Sequence, residues 1–217
     1  MRSGLRVPSL IALTMLSALM ILMMGFEPHS RVPEDLNRSS MDLVSVRKSL
    51  NAFGFDLFSN LNCWDRNTVF SPFSVFSALA MAYEGARGAT ADEMASVLHI
   101  HGKSPARGYS SILEGLSGVR GLKVANALWV QRGFPLREEF LRLISEQYSG
   151  RADSIDFVGD PEGSRRIINE FIREGTEGEI GDLLPEGAIN ELTRLVITNA
   201  VHFKGTWRYR FDPSETF

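Results

Sequence analysis

The 217 residues carry 23 basic and 26 acidic side chains for a formal charge of −3, with 44% hydrophobic residues, 19 Gly and 9 Pro. This is the make-up of an ordinary globular protein of one or two domains, and it excludes a mainly disordered or low-complexity chain. No basic patch with interleaved aromatics stands out, so nucleic acid is not an expected partner. The single cysteine, Cys63, cannot close an intrachain disulfide, so stability has to come from burial. Beside Trp64 it reads as a small packed side chain.

Arg2 and Arg6 precede an apolar stretch, Leu10 to Phe26, interrupted only by Thr14, Ser17 and Gly25. As a helix at ~1.5 Å per residue these 17 residues would span ~25 Å, just short of a bilayer core of ~30 Å. Residues 1–26 are therefore expected to act as a signal peptide or, if uncleaved, as an N-terminal membrane anchor. Glu27, Glu34 and Asp35 lie beyond the stretch and the basic residues before it, which directs the rest of the chain outward, secreted or anchored on the extracellular side. Residues 27–42 hold Pro28, Pro33, Asn37, Ser39 and Ser40 without any period and read as a linker. Asn37-Arg38-Ser39 matches a glycosylation sequon by pattern alone.

The folded part is expected over residues 43–217. Leu43, Val46, Leu50, Phe53, Leu57, Phe58 and Leu61 recur at helical spacing. Thr68-Val69-Phe70 is β-like. Ser71-Pro72 then offers an N-cap hydroxyl and a first-turn proline to a helix ending at Gly85. Thr90 and Glu93 form the pattern of a capping box for a shorter helix to about Leu98. Leu122 to Val130 alternates as a strand, with Leu122, Val124, Asn126, Leu128 and Val130 on one face. A helix after Pro135 carries Phe140, Leu141, Ile144 and Tyr148 and closes at Gly150. Ser154 to Phe157 reads as a brief strand, Ile167, Ile168, Phe171 and Ile172 as a helix stopped by Gly175 and Gly178, and Leu195 to Phe203 as a strand. In that last strand Leu195, Ile197, Asn199, Val201 and Phe203 share a face, opposite His202. The segment from Gly102 to Gly121 has no assigned element. Helices and strands mix without a βαβ rhythm, which indicates an α+β fold.

No G-x-S-x-G elbow, phosphate-binding loop or dinucleotide fingerprint is present, and an enzyme is not expected. His99 and His101 read as loop histidines, so no metal and no cofactor are expected. The unusual feature is polarity at core positions: Ser71 and Ser74 open an apolar helix, and Asn199 sits on an apolar strand face, where an unpaired amide costs ~1–3 kcal/mol. Simple capping by Ser71 and a local bond for Ser74 would account for the serines; a shared polar cluster is the other reading.

Four ordered motifs resemble the serpins. Asn67-Thr68-Val69-Phe70-Ser71-Pro72-Phe73-Ser74-Val75, with Ala78 to Met81 and Gly85 to Thr90, is similar to their first signature. Ala125 to Val130 resembles a strand of their large central sheet. Ile168 to Ile180 and Leu183-Leu184-Pro185 resemble the helix lying across it. Thr198-Asn199-Ala200-Val201-His202-Phe203-Lys204-Gly205-Thr206-Trp207 resembles the next central strand and its turn. The resemblance covers essentially all of 43–217 and implies helices packed on a large central β-sheet.

It also implies a function: inhibition of a serine or cysteine protease by a cleaved reactive loop that inserts into the sheet. Ser71, Ser74 and Asn199 would lie in the shutter beneath the opening sheet. Lys204, Gly205 and Trp207 would lie at the breach where insertion begins, and Asn169 and Thr176 on the sheet-covering helix. In serpins the reactive loop follows the turn at Trp207, so the 217 residues are expected to be an N-terminal part truncated before it, inhibiting nothing alone. A non-inhibitory remnant or binding module of the same fold is the alternative.

Overall fold

A computed structural model describes residues 34–61, 67–210 and 212–215. The Leu10 to Phe26 stretch and the Cys63–Trp64 pair lie outside the described residues. The chain divides into two units, 1–37 and 38–217, and the second holds the core described below. Among the described residues no helix is long and apolar enough to cross a membrane.

The central strand β1, Leu122–Gln131, is buried on both faces from Asn126 to Val130, because its alternating side chains meet a different layer on each side. It pairs in parallel with β2, Gly150–Ile155, and antiparallel with β3, Leu195–Phe203. The sheet of the described residues is thus three-stranded, in the order β2-β1-β3, narrower than the large sheet the resemblance implies.

The helices are α1 (Glu34–Asn60), α2 (Pro72–Gly85), α3 (Ala89–Val97), α4 (Ala106–Ser117), α5 (Glu138–Tyr148) and α6 (Pro161–Gly175). On one face of the sheet Leu128 and Val130 pack with Val46 and Phe53 of α1, Phe76 and Met81 of α2, Tyr109 of α4, and Ile144 and Tyr148 of α5. On the other, Ala127 and Trp129 pack with Ile155, Phe157, Ile168 of α6 and Ile189. Full burial of such side chains contributes about 1.5–3 kcal/mol each. Trp129 is fixed further by donating Nε1–H to Thr198 Oγ1 at 3.1 Å and by an edge-on contact with Phe171.

Several local expectations are corrected. α1 begins at Glu34, not Leu43, so the segment read as a linker is helical from Glu34 onward. As a sequence, a proline followed by two acidic residues is a helix-start pattern, and it outweighs the linker reading. The Thr90–Glu93 capping box does not form. Gly88 is the N-cap with φ +58 and no side-chain bond. α5 closes on Ser149 in the left-handed region, and Gly150 already belongs to β2, which runs to Ile155 instead of spanning Ser154 to Phe157. The Gly102 to Gly121 segment holds α4, whose Tyr109, Ile112, Leu113 and Leu116 lie at helical spacing. In β3 the buried residues are Thr198 and Ala200, on the face opposite Asn199 that α6 covers.

Candidate functional site

α2 opens as its sequence dictates: Ser71, in extended backbone, accepts the Ser74 amide at 3.2 Å, with Pro72 in the first turn. Ser74 Oγ donates to Ser71 Oγ at 3.0 Å. Ser71 thus caps the helix and Ser74 bonds Ser71, and neither hydroxyl bonds Asn199.

The buried polar seam begins one turn further along. Ser77 donates to the Phe73 carbonyl at 2.6 Å and accepts the Tyr109 hydroxyl at 2.5 Å. Tyr109 stacks on Tyr148 with ring centroids 4.7 Å apart. The Tyr148 carbonyl accepts Asn126 Nδ2 at 2.8 Å, and Asn126 Oδ1 accepts Asn199 Nδ2 at 2.7 Å across the β1–β3 pair. Burial pushes both tyrosine hydroxyls above their ordinary range, so each stays a neutral donor. Asn199 Oδ1 is buried and accepts no hydrogen bond among the described residues. Ser77, Tyr109, Asn126 and Tyr148 were not singled out from sequence. Asn126 carried the same signal as Asn199, an amide on an apolar strand face.

Below β3 the chain turns at Lys204, whose amide bonds the Gly121 carbonyl at 2.8 Å. Gly121 has φ +79, and a Cβ there would collide with the Lys204 carbonyl, so only glycine permits this approach. Gly205 is exposed and Trp207 is 71% exposed. All three thus follow directly on the end of β3 at Phe203.

On α6, capped by Asp160, Asn169 is buried and holds the following segment. Its Nδ2 reaches the Leu184 carbonyl at 3.0 Å and Asp182 at 3.2 Å, and its Oδ1 accepts the Leu184 amide at 2.9 Å. Thr176 donates to the Ile172 carbonyl and accepts the Ile180 amide, closing the helix end. Lys123 of β1 pairs with Glu177 at 2.7 Å, and its hydrogen bond holds that carboxyl below the ordinary range. Among the described residues no group of three metal-ligating side chains occurs; His99 bonds Asp56 at 2.6 Å and His101 is exposed.

Comparison with known proteins follows the same outline. Residues 48–217 match the family model "Serpin (serine protease inhibitor)". An uncharacterized serpin-like protein of Thermococcus kodakarensis is 48% identical over 79% of this chain and 41% of its own length. Bovine leukocyte elastase inhibitor is 39% identical over 73% of this chain and 44% of its own. The structure of emu ovalbumin superposes with a TM-score of 0.74 at 27% identity, covering 80% of this chain and 50% of that one.

Helices on one face, α6 across the other and a mixed sheet between them define an α+β domain of serpin architecture. The chain belongs to the serpin family. It spans less than half the length of the curated relatives it matches.

Proposed function

We propose that the protein is an exported serpin-type inhibitor of serine endopeptidases and that this chain supplies its framework. The observation that carries this reading is the state of β3. Its outer edge pairs with no strand among the described residues, and Asn199 within it has a buried side-chain oxygen with no hydrogen-bond partner among them. A strand pairing there would gain ladder hydrogen bonds along β3, which is the chemistry a loop-inserting inhibitor requires. The bovine relative is named as an inhibitor of leukocyte elastase, which supports an endopeptidase partner. Arg2, Arg6 and the Leu10 to Phe26 stretch support a place outside the cell, secreted or membrane-anchored.

The test is expression from Met1 of a form lengthened to the span of its relatives, beside the 217-residue chain. The long form is expected in the membrane or external fraction. With a panel of serine endopeptidases it should give a complex that survives denaturing electrophoresis, and the 217-residue chain should give none. Purely cytosolic recovery would refute the export reading. Absence of any complex with the long form would refute inhibition, and trapping by the short chain would refute the placing of the bait loop after Trp207.

A further inference from the structure

Glu84, in the last turn of α2, is a partly buried carboxyl with no place in the sheet chemistry above. Its Oε1 accepts two hydroxyls from two other parts of the fold, Ser104 Oγ at 2.7 Å and Tyr148 OH at 3.0 Å. Ser104 in turn accepts the Ala106 amide at 3.2 Å. That amide opens α4, whose N-cap is Pro105 and which has no side-chain cap of its own. Ser104 spends its single proton on Glu84 and a lone pair on α4, so the cap of α4 is oriented from α2. Tyr148 ends α5, is fully buried, and offers its carbonyl to Asn126.

We propose that the Glu84 carboxyl is a pH-responsive clamp that joins the end of α2 to the start of α4 and the end of α5, and through Tyr148 steadies the Asn126–Asn199 pair. The clamp follows from the geometry of this chain and does not depend on inhibitory activity. The groups acting on it come from every neighbouring element. Arg87 lies after α2 and Tyr148 on α5; Tyr83 of α2 and Tyr109 of α4 act through Tyr148. Lys103, Arg107, Arg142, Glu139 and Glu146 line the open charged cleft beyond Ser104.

Burial is the largest influence and raises the Glu84 carboxyl above its ordinary value of 4.5. The hydrogen bonds from Ser104, Tyr148 and the Ala106 amide and the charge of Arg87 oppose it without cancelling it. A proton taken up on Oε2 leaves Oε1 free to keep both hydroxyls and removes the cost of a buried charge. The folded junction therefore binds this proton before the unfolded chain does. The clamp tightens as pH falls through the raised folded value, gains nothing more below 4.5, and is weakest once pH exceeds the folded value.

Amide hydrogen exchange on the full chain, corrected for its intrinsic pH dependence, reads this directly. From about pH 7 to about pH 4.5, exchange in the first turn of α4 and the last turn of α5 should slow several-fold, and Glu84→Gln should abolish that dependence. Ser104→Ala removes a bond that favours the charged form, so it should move the midpoint of the wild-type profile to higher pH. This second variant decides the matter if Glu84→Gln does not fold. A junction that loosens in mild acid, a Glu84→Gln profile equal to wild type, or an unmoved midpoint in Ser104→Ala would each overturn the clamp.

Discussion

Asn126 uses both ends of its amide, donating to Tyr148 and accepting from Asn199, whereas Asn199 uses only its donor. The two residues face each other in register, yet their removal should have unequal consequences. Asn126→Leu leaves the Tyr148 carbonyl and the Asn199 donor unpaired inside the core, at a cost of about 1–3 kcal/mol. Asn199→Leu orphans Asn126 Oδ1 but also removes the unsatisfied Oδ1 of Asn199, and the two effects partly offset. Denaturant midpoints should fall clearly for Asn126→Leu and much less for Asn199→Leu. Equal losses would mean that the Asn199 carbonyl is satisfied in solution. Asn199 was legible in the sequence because an amide interrupts a row of apolar residues; Ser77 and Tyr109 were not, since a serine inside a helix and a tyrosine on an unassigned segment announce nothing until the two meet.

At the scale of elements, α4 rests on α1 through Gly108. A Cβ there would stand 2.7 Å from Val46 Cγ2 and collide with the Asp42 carbonyl. Alanine ordinarily favours a helix interior over glycine by about 0.5–1 kcal/mol, but here the two backbones leave no room for it. Gly108→Ala should therefore destabilise the domain by about 1–3 kcal/mol through overpacking, and a raised melting temperature would show that the helices separate freely. The same glycine helps explain why α4 escaped sequence reading: Gly108 and the run of serines weaken helix propensity, and packing overrides it. The early start of α1 escaped for a different reason. Pro33, Ser39 and Ser40 look like linker residues, but proline is compatible with the sequence ahead of a helix, and a serine on an exposed helix face, such as Ser40, costs little. The strands β1 and β3 and the helices α2, α5 and α6 were readable from period and caps to within a few residues, save that α6 begins earlier, at Pro161.

For the whole molecule, the four motifs pointed to the family that comparison then showed, and to an α+β arrangement with a helix lying across the sheet. The composition alone could not do this, since charge and hydrophobic content are those of any globular domain. The assignment of Ser71, Ser74 and Asn199 to one cluster was only half legible. Motif resemblance places residues near one another, but hydrogen-bond partners depend on side-chain direction, and Ser71 and Ser74 turn to each other while Asn199 turns to Asn126.

The central position of β1 also governs the order in which the chain can assemble. Its bond to the end of α5 joins residues 22 apart, whereas its bond to β3 joins residues 73 apart. Closing the longer loop costs about 1 kcal/mol more in chain entropy, before the ordering of α6 and the segment after it is counted. The unit β1–α5–β2 is therefore expected to gather first and to present a half-made sheet on which β3 docks last. Pulse-labelling during refolding should find amides of β1 and β2 protected ahead of those in β3. Protection that appears in all three strands together would rule this sequence out. Among the three described strands β3 comes last in the chain and binds through the longest loop, so late docking would leave it, of the three, the longest exposed to competing strands while the protein is being made.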